Sequence, residues 1–149
     1  MKHLLIISAI VIVTFLLTSN VALAKQQPSP EERAYKFRTS LFQTFAWKLG
    51  QMAGAKGRDD SAAFTKHAAD LVYLSGLIEE GFAIEGSLPE GTNAKSEIWE
   101  DYAKFQDRAA NLTTLAGDYT NADAMADFNP RDFGSKACGS CHRDFKIKD

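Results

Sequence analysis

The chain has 149 residues, with 17 lysines and arginines against 19 aspartates and glutamates and a net charge of −2. Charges of both signs are interspersed, so there is no basic face for a nucleic acid, and the length provides one compact domain while excluding a second.

At the N-terminus Lys2, the apolar run Leu4 to Leu17 and the small-residue site Ala22-Leu23-Ala24 have the form of a cleaved export signal. The run is interrupted at Thr18, Ser19 and Asn20 and falls short of the roughly 20 apolar residues that span a bilayer. The reading is therefore a signal at residues 1–24 and a mature domain at 25–149, exported to a Gram-negative periplasm and without membrane attachment.

After a leader at 25–28, Ser29-Pro30-Glu31-Glu32 supplies an N-cap, a proline at the first helical position and a capping-box glutamate. The first helix then carries Phe42, Phe45, Leu49 and Met52 in the 3, 4, 3 rhythm of a bundle seam, with Arg38 one turn earlier, and ends at Gly54 or Gly57. Asp59-Asp60-Ser61 caps a second helix, whose seam runs from Phe64 through Ala68, Leu71, Ser75 and Ile78 to Phe82. A longer connection rich in glycine and proline leads to a third helix, with Ile98, Tyr102, Phe105, Ala109, Leu112 and Ala116 on its seam and Gly117 at its end. A short helix is expected within Asn121 to Phe128. Asn129-Pro130 then restarts the chain as a last helix from about Pro130 to Lys146. No stretch alternates like a half-buried strand, so the fold class is all-α, an antiparallel four-helix bundle.

Both cysteines fall in one run on the last helix, Cys138-Gly-Ser-Cys141-His142. C-x-x-C-H is the attachment signature of a c-type haem. Positions i, i+3 and i+4 share one helix face, so both thiols can bond the haem vinyl groups while His142 reaches the iron as axial ligand. The motif sits so near the end of the sequence that nearly all other walls of the pocket must come from upstream, and the iron's far face from the first half of the chain. Two cysteines in an exported chain also suit a disulfide or a redox-active C-x-x-C, but the redox motif belongs at a helix start after a strand. Zinc needs a fourth ligand, and the mature chain offers only His67.

The chain resembles the cytochrome c-prime family, haem-binding four-helix bundles with a C-terminal attachment motif. The resemblance spans nearly all of the mature sequence. It rests on Phe37-Arg38, Leu49-Gly50-Gln51-Met52, Ser96-Glu97-Ile98-Trp99 with Phe105, and the run from Cys138 to Lys146. It implies one haem c, covalently held, with a large apolar side chain covering the face away from His142. By spacing from Arg38 that side chain is Phe42, which is also an ordinary seam residue. The resemblance further places Phe82 and Phe105 along the pocket, Arg38 against a haem propionate, and Thr39 and Thr92 near the propionates. Alternatively, Arg38 is a solvated charge at the edge of the seam, Thr39 a plain helix residue and Thr92 an N-cap. Where the family has an arginine four residues after the axial histidine, this chain has Lys146, which keeps the charge but lacks the planar fork.

Phenylalanine cannot ligate iron, and a six-coordinate electron-transfer cytochrome needs a second ligand, usually Met or His. Met52 is ten residues beyond Phe42, about 15 Å along a helix, Met125 lies near the fourth helix, and His67 reads as a surface or packing histidine. The expectation is a five-coordinate, high-spin haem that binds small gases, NO and CO, at an apolar distal site. Through the family, NO can finally occupy the histidine side. Electron transfer to a periplasmic partner, through an exposed haem edge near Lys146 and Lys148, is the alternative, and a haem-free thiol or structural bundle is the third reading. No nucleophile, base and orienter are grouped, so no enzyme activity is expected. The resemblance also implies a homodimer through the first two helices, with Phe37, Leu41, Leu71 and Tyr73 as candidate contacts.

Overall fold

The computed structural model describes residues 27–148, and the export signal read at residues 1–24 lies outside them. Helix α1 (Pro30–Gly57) begins where local chemistry dictates: the Glu32 N–H donates to Ser29 Oγ at 3.1 Å, and the Ser29 N–H donates to the Glu32 carboxylate at 2.9 Å. Helix α2 (Ser61–Ser75) is capped by Asp60, which accepts the Ala63 N–H at 3.0 Å. The single turn α3 (Glu97–Glu100) leads into α4 (Tyr102–Gly117). Helix α5 (Pro130–Phe145) follows a short 3-10 helix at Ala122–Met125, and Asn129 Oδ1 caps it by accepting the N–H groups of Arg131 and Asp132.

α1, α2, α4 and α5 form a four-helix bundle around a core in which Met52, Phe64, Ala68, Leu71 and Phe105 are almost wholly excluded from solvent. Where α1 ends and α5 begins, Phe64, Tyr119, Phe128 and Phe133 pack edge to face, with ring centroids 5.0–6.1 Å apart in the contacts of Phe64 with Phe128 and Tyr119 and of Tyr119 with Phe128 and Phe133. The Lys56 ammonium seals that end, donating to the carbonyl oxygens of Ala126 at 2.6 Å and Phe128 at 2.8 Å.

The structure departs from the seam pattern in three places. α2 stops at Ser75, short of Phe82, and the chain continues through tight turns into a 3-10 helix at Glu79–Phe82. Beyond the break the chain closes on α1: a Cβ at Gly81 would stand 2.7 Å from Arg38 Cβ, so only a residue without a side chain fits this close. The third helix is broken at Asp101, whose non-helical backbone lets its side chain accept the Lys104 N–H at 3.3 Å and start α4 afresh. Leu41 and Leu71 are core residues at 5% and 1% exposure and cannot serve as outward contacts. Phe37 and Tyr73 are exposed, as is Trp47, which the seam pattern passed over.

Among the described residues the only extended pairing is an isolated antiparallel bridge between Ala94 and Lys146. The Lys95 N–H donates to Phe145 O at 3.0 Å and the Ile147 N–H to Asn93 O at 2.8 Å, fastening the 91–95 segment to the end of α5.

Candidate haem site

A cavity of about 580 Å³ opens between the helices, within the roughly 300–1,000 Å³ typical of pockets for small molecules and cofactors. Its α5 wall carries Cys138, Cys141 and His142 on one helical face, flanked by Phe133, Ala137 and Phe145. Both thiols are free. Burial pushes the Cys138 thiol above its ordinary range, and burial with the nearby Asp144 carboxylate pushes Cys141 up to about 11, so both are held protonated. Burial, and then Lys146, lowers the proton affinity of His142, leaving the neutral imidazole that can ligate a metal.

The facing wall is α1, with Arg38, Thr39 and Phe42 among its lining residues. Phe42 is 38% exposed and meets Phe45 edge-on at 5.7 Å and Phe82 at 6.3 Å. Phe82 in turn meets Phe105 at 4.9 Å, and Phe105 meets Phe145 at 5.6 Å, so a continuous run of rings crosses from α1 to α5. The 91–94 segment covers one end, tethered to α1 by the Tyr35 hydroxyl, which donates to Gly91 O at 3.2 Å. An Asp144 oxygen holds Lys104 at 3.2 Å and Arg108 at 3.3 Å, locking α4 to α5 beside the attachment run.

All ten residues expected at the site line this one cavity. Two have settings the sequence did not show. Arg38, 3% exposed, is neither a solvated edge charge nor paired with a carboxylate among the described residues. It donates to Gly81 O and to both oxygens of Ser87, and its guanidinium lies over the Phe82 ring at 4.8 Å. Lys146 has left the helix: its backbone is extended, and its N–H donates to His142 O at 3.1 Å. Thr39 Oγ1 donates to Tyr35 O at 2.8 Å, as an ordinary helix threonine does, and Thr92 Oγ1 accepts the Ala94 N–H at 3.2 Å, shaping a turn and not capping a helix.

Met52 and Met125 are buried elsewhere in the core, and His67 packs edge-on against Trp47 at 5.9 Å; none of the three is among the described lining residues. Phe133 and Phe145 line the cavity but were not anticipated from the sequence. Phe133, Ala137, Cys141 and Phe145 recur every four residues, and that spacing would have found them.

The residues fit a haem. The cavity is large and mainly apolar, the two thiols and a neutral imidazole share one wall, and a buried cation with only neutral protein partners suits the carboxylates of a haem. A helical bundle that turns a C-x-x-C-H run toward such a cavity defines a c-type cytochrome.

Comparison with known proteins narrows the class. The sequence profile of cytochrome c' matches residues 33–146. Cytochrome c-554 of Cereibacter sphaeroides is 31% identical, with 91% of this chain and 94% of that protein aligned. Cytochrome c' of the same organism is 32% identical over 78% of this chain and 85% of its own length. The solved nitric oxide complex of a mutant cytochrome c prime from Alcaligenes xylosoxidans superposes with a TM-score of 0.65 at 27% identity, covering 82% of this chain and all of that one. The chain belongs to the cytochrome c' family.

Proposed function

We propose that the chain is exported, loses residues 1–24, and as a domain of residues 25–149 carries one haem c through Cys138 and Cys141 with His142 as axial ligand, binding NO and CO in the periplasm. The observation that carries this reading is the composition of the α1 wall. The side chain that faces the cavity one turn after Arg38 is Phe42, which offers no donor atom to iron, and no methionine or histidine joins it there.

The bound haem supplies an iron with an open coordination position, and the chain supplies its surroundings. Phe42, Phe82 and Phe105 give the cavity an apolar wall, which favours neutral diatomic ligands over charged ones. Arg38, with Thr39 and Thr92 nearby on the wall, would hold the propionates. The backbone bond from Lys146 to His142 O and the bridge from Lys146 to Ala94 fix the end of the helix that presents His142. The relative solved with nitric oxide supports the choice of gas.

Electron transfer is the second reading, favoured by the surface next to His142. Arg143, Lys146 and Lys148 surround a half-exposed Ile147 there, a basic patch with an apolar centre that suits an acidic periplasmic partner. The family relationship and the exposed Phe37, Trp47 and Tyr73 of α1 and α2 also support a homodimer.

Optical spectra of the purified protein in ferric, ferrous and NO-treated forms test the reading. Expected are a high-spin ferrous spectrum and a shift on adding NO or CO. A low-spin ferrous spectrum indifferent to both gases moves the assignment to electron transfer.

A further inference from the structure

Among the described residues the cavity wall has exposed lining residues at the 91–93 turn, Gly91 and Asn93, and along the edge of α1. On the α2 and α4 side the lining residues Leu71, Phe105, Ala109 and Leu112 are buried, as is Ile98 from α3. α1 and α5 touch each other far less than the neighbouring helix pairs do, which leaves a slit between them. On the α1 edge of this slit, Phe42, Gln43 and Ala46 are exposed while lining the cavity.

The α1 edge of this slit has its own register. Thr39, Gln43 and Ala46 follow one another at i, i+4 and i+7 beside the Arg38 and Phe42 stripe, and none of the three carries a charge. Phe42 is the large obstacle, and Ala46, one turn further on, is the smallest side chain on that edge. A neutral molecule passing there crosses no fixed charge and need displace only solvent around an amide and a methyl group.

We infer that small neutral ligands reach the α1 side of the cavity through this slit, past Gln43 and Ala46, and that the size of these two side chains sets the rate of access. The inference rests on the gas-binding reading. It differs from that reading in kind, because a residue on the route changes association and dissociation in the same proportion, whereas a residue touching the bound ligand changes the affinity.

The test is CO kinetics on the haem-loaded ferrous protein by flash photolysis and ligand replacement, comparing wild type with Ala46→Leu, Ala46→Trp and Gln43→Trp. Ser40→Trp, exposed on α1 and outside the cavity, is the control. Association and dissociation are expected to slow together by about tenfold in Ala46→Trp, and by less in Ala46→Leu, with the equilibrium constant held within about twofold. Gln43→Trp, at an exposed position that tolerates bulk, carries the same expectation and covers a failure of Ala46→Trp to fold. Unchanged rates in folded Ala46→Trp or Gln43→Trp, an equal slowing in Ser40→Trp, or a change in affinity without matched rates overturns the route. A wild type that takes up no CO overturns the gas-binding reading itself, and the route with it.

Discussion

Arg38 and Ser87 are joined twice: one guanidinium nitrogen donates to the Ser87 hydroxyl at 2.9 Å and the other to its carbonyl oxygen at 2.6 Å, with both residues buried. They are 49 positions apart, so this pair holds the 83–91 connection against α1. Arg38→Ala would strand the buried oxygens of Ser87 and Gly81 and is expected to cost about 1–3 kcal/mol, read as a lower denaturation midpoint. Ser87→Ala removes only the hydroxyl acceptor and is expected to cost about 1 kcal/mol. Equal stability of Arg38→Ala and wild type would show that the pair does not form.

Phe42→Met places a thioether on the α1 wall and is expected to move the ferrous spectrum toward low spin, by analogy with Met-ligated cytochromes. Phe42→Ala opens the same position and is expected to raise the CO association rate. Because Phe42 is 38% exposed, its removal costs less than the roughly 3–5 kcal/mol of a fully buried phenylalanine, a cost expected instead for Phe64→Ala. Chemical denaturation of the two alanine variants checks that order.

His67 provides a pH dependence. Burial, and then Lys48 and Lys66, lower its proton affinity in the folded protein below the ordinary 6.5, and its Nδ1 is buried without a hydrogen-bond partner, 3.7 Å from Asp70. The unfolded chain therefore binds the His67 proton more readily. Its contribution to stability is complete above the ordinary pKa and is lost as pH falls below about 6.5. His67→Leu is expected to flatten the stability curve below about pH 6.5. Asp70 has the same sign at more acidic pH, because its hydrogen bond to Lys48 holds its carboxyl below the usual range. Parallel curves for wild type and variant would remove His67 as the source.

The face of α1 and α2 away from the cavity tests the homodimer. Trp47 is 56% exposed, with the Lys48 ammonium 5.0 Å from its ring centroid, and Tyr73 is 73% exposed. Trp47→Glu with Tyr73→Glu is expected to halve the mass seen by light scattering while leaving the haem spectrum unchanged. A wild type that is monomeric at high concentration refutes the dimer.

What the sequence by itself determined is whatever depends on neighbours along the chain. The caps at Ser29, Asp60 and Asn129, the proline starts of α1 and α5, and the face shared by Cys138, Cys141 and His142 all follow from spacings of four residues or fewer, within which helix geometry is fixed. That the ten expected residues would line one cavity was legible partly for the same reason and partly through a family resemblance that carried Arg38, Phe42, Phe82 and Thr92 across long separations.

Only the tertiary structure decided what distant segments do to one another. α2 ends at Ser75 and not at Phe82, and the segment beyond it brings Gly81 against Arg38 of α1. Arg38 is satisfied by Ser87, and no local pattern encodes a partner 49 residues away. Lys146 still completes the last helical hydrogen bond, to His142 O, but its backbone turns extended where the end of α5 pairs with Asn93 to Lys95, one residue short of the helix the sequence suggested. Leu41 and Leu71 differ from Phe37 and Tyr73 in burial although all four are apolar, because helix periodicity identifies a stripe and packing alone chooses which edge of it faces inward.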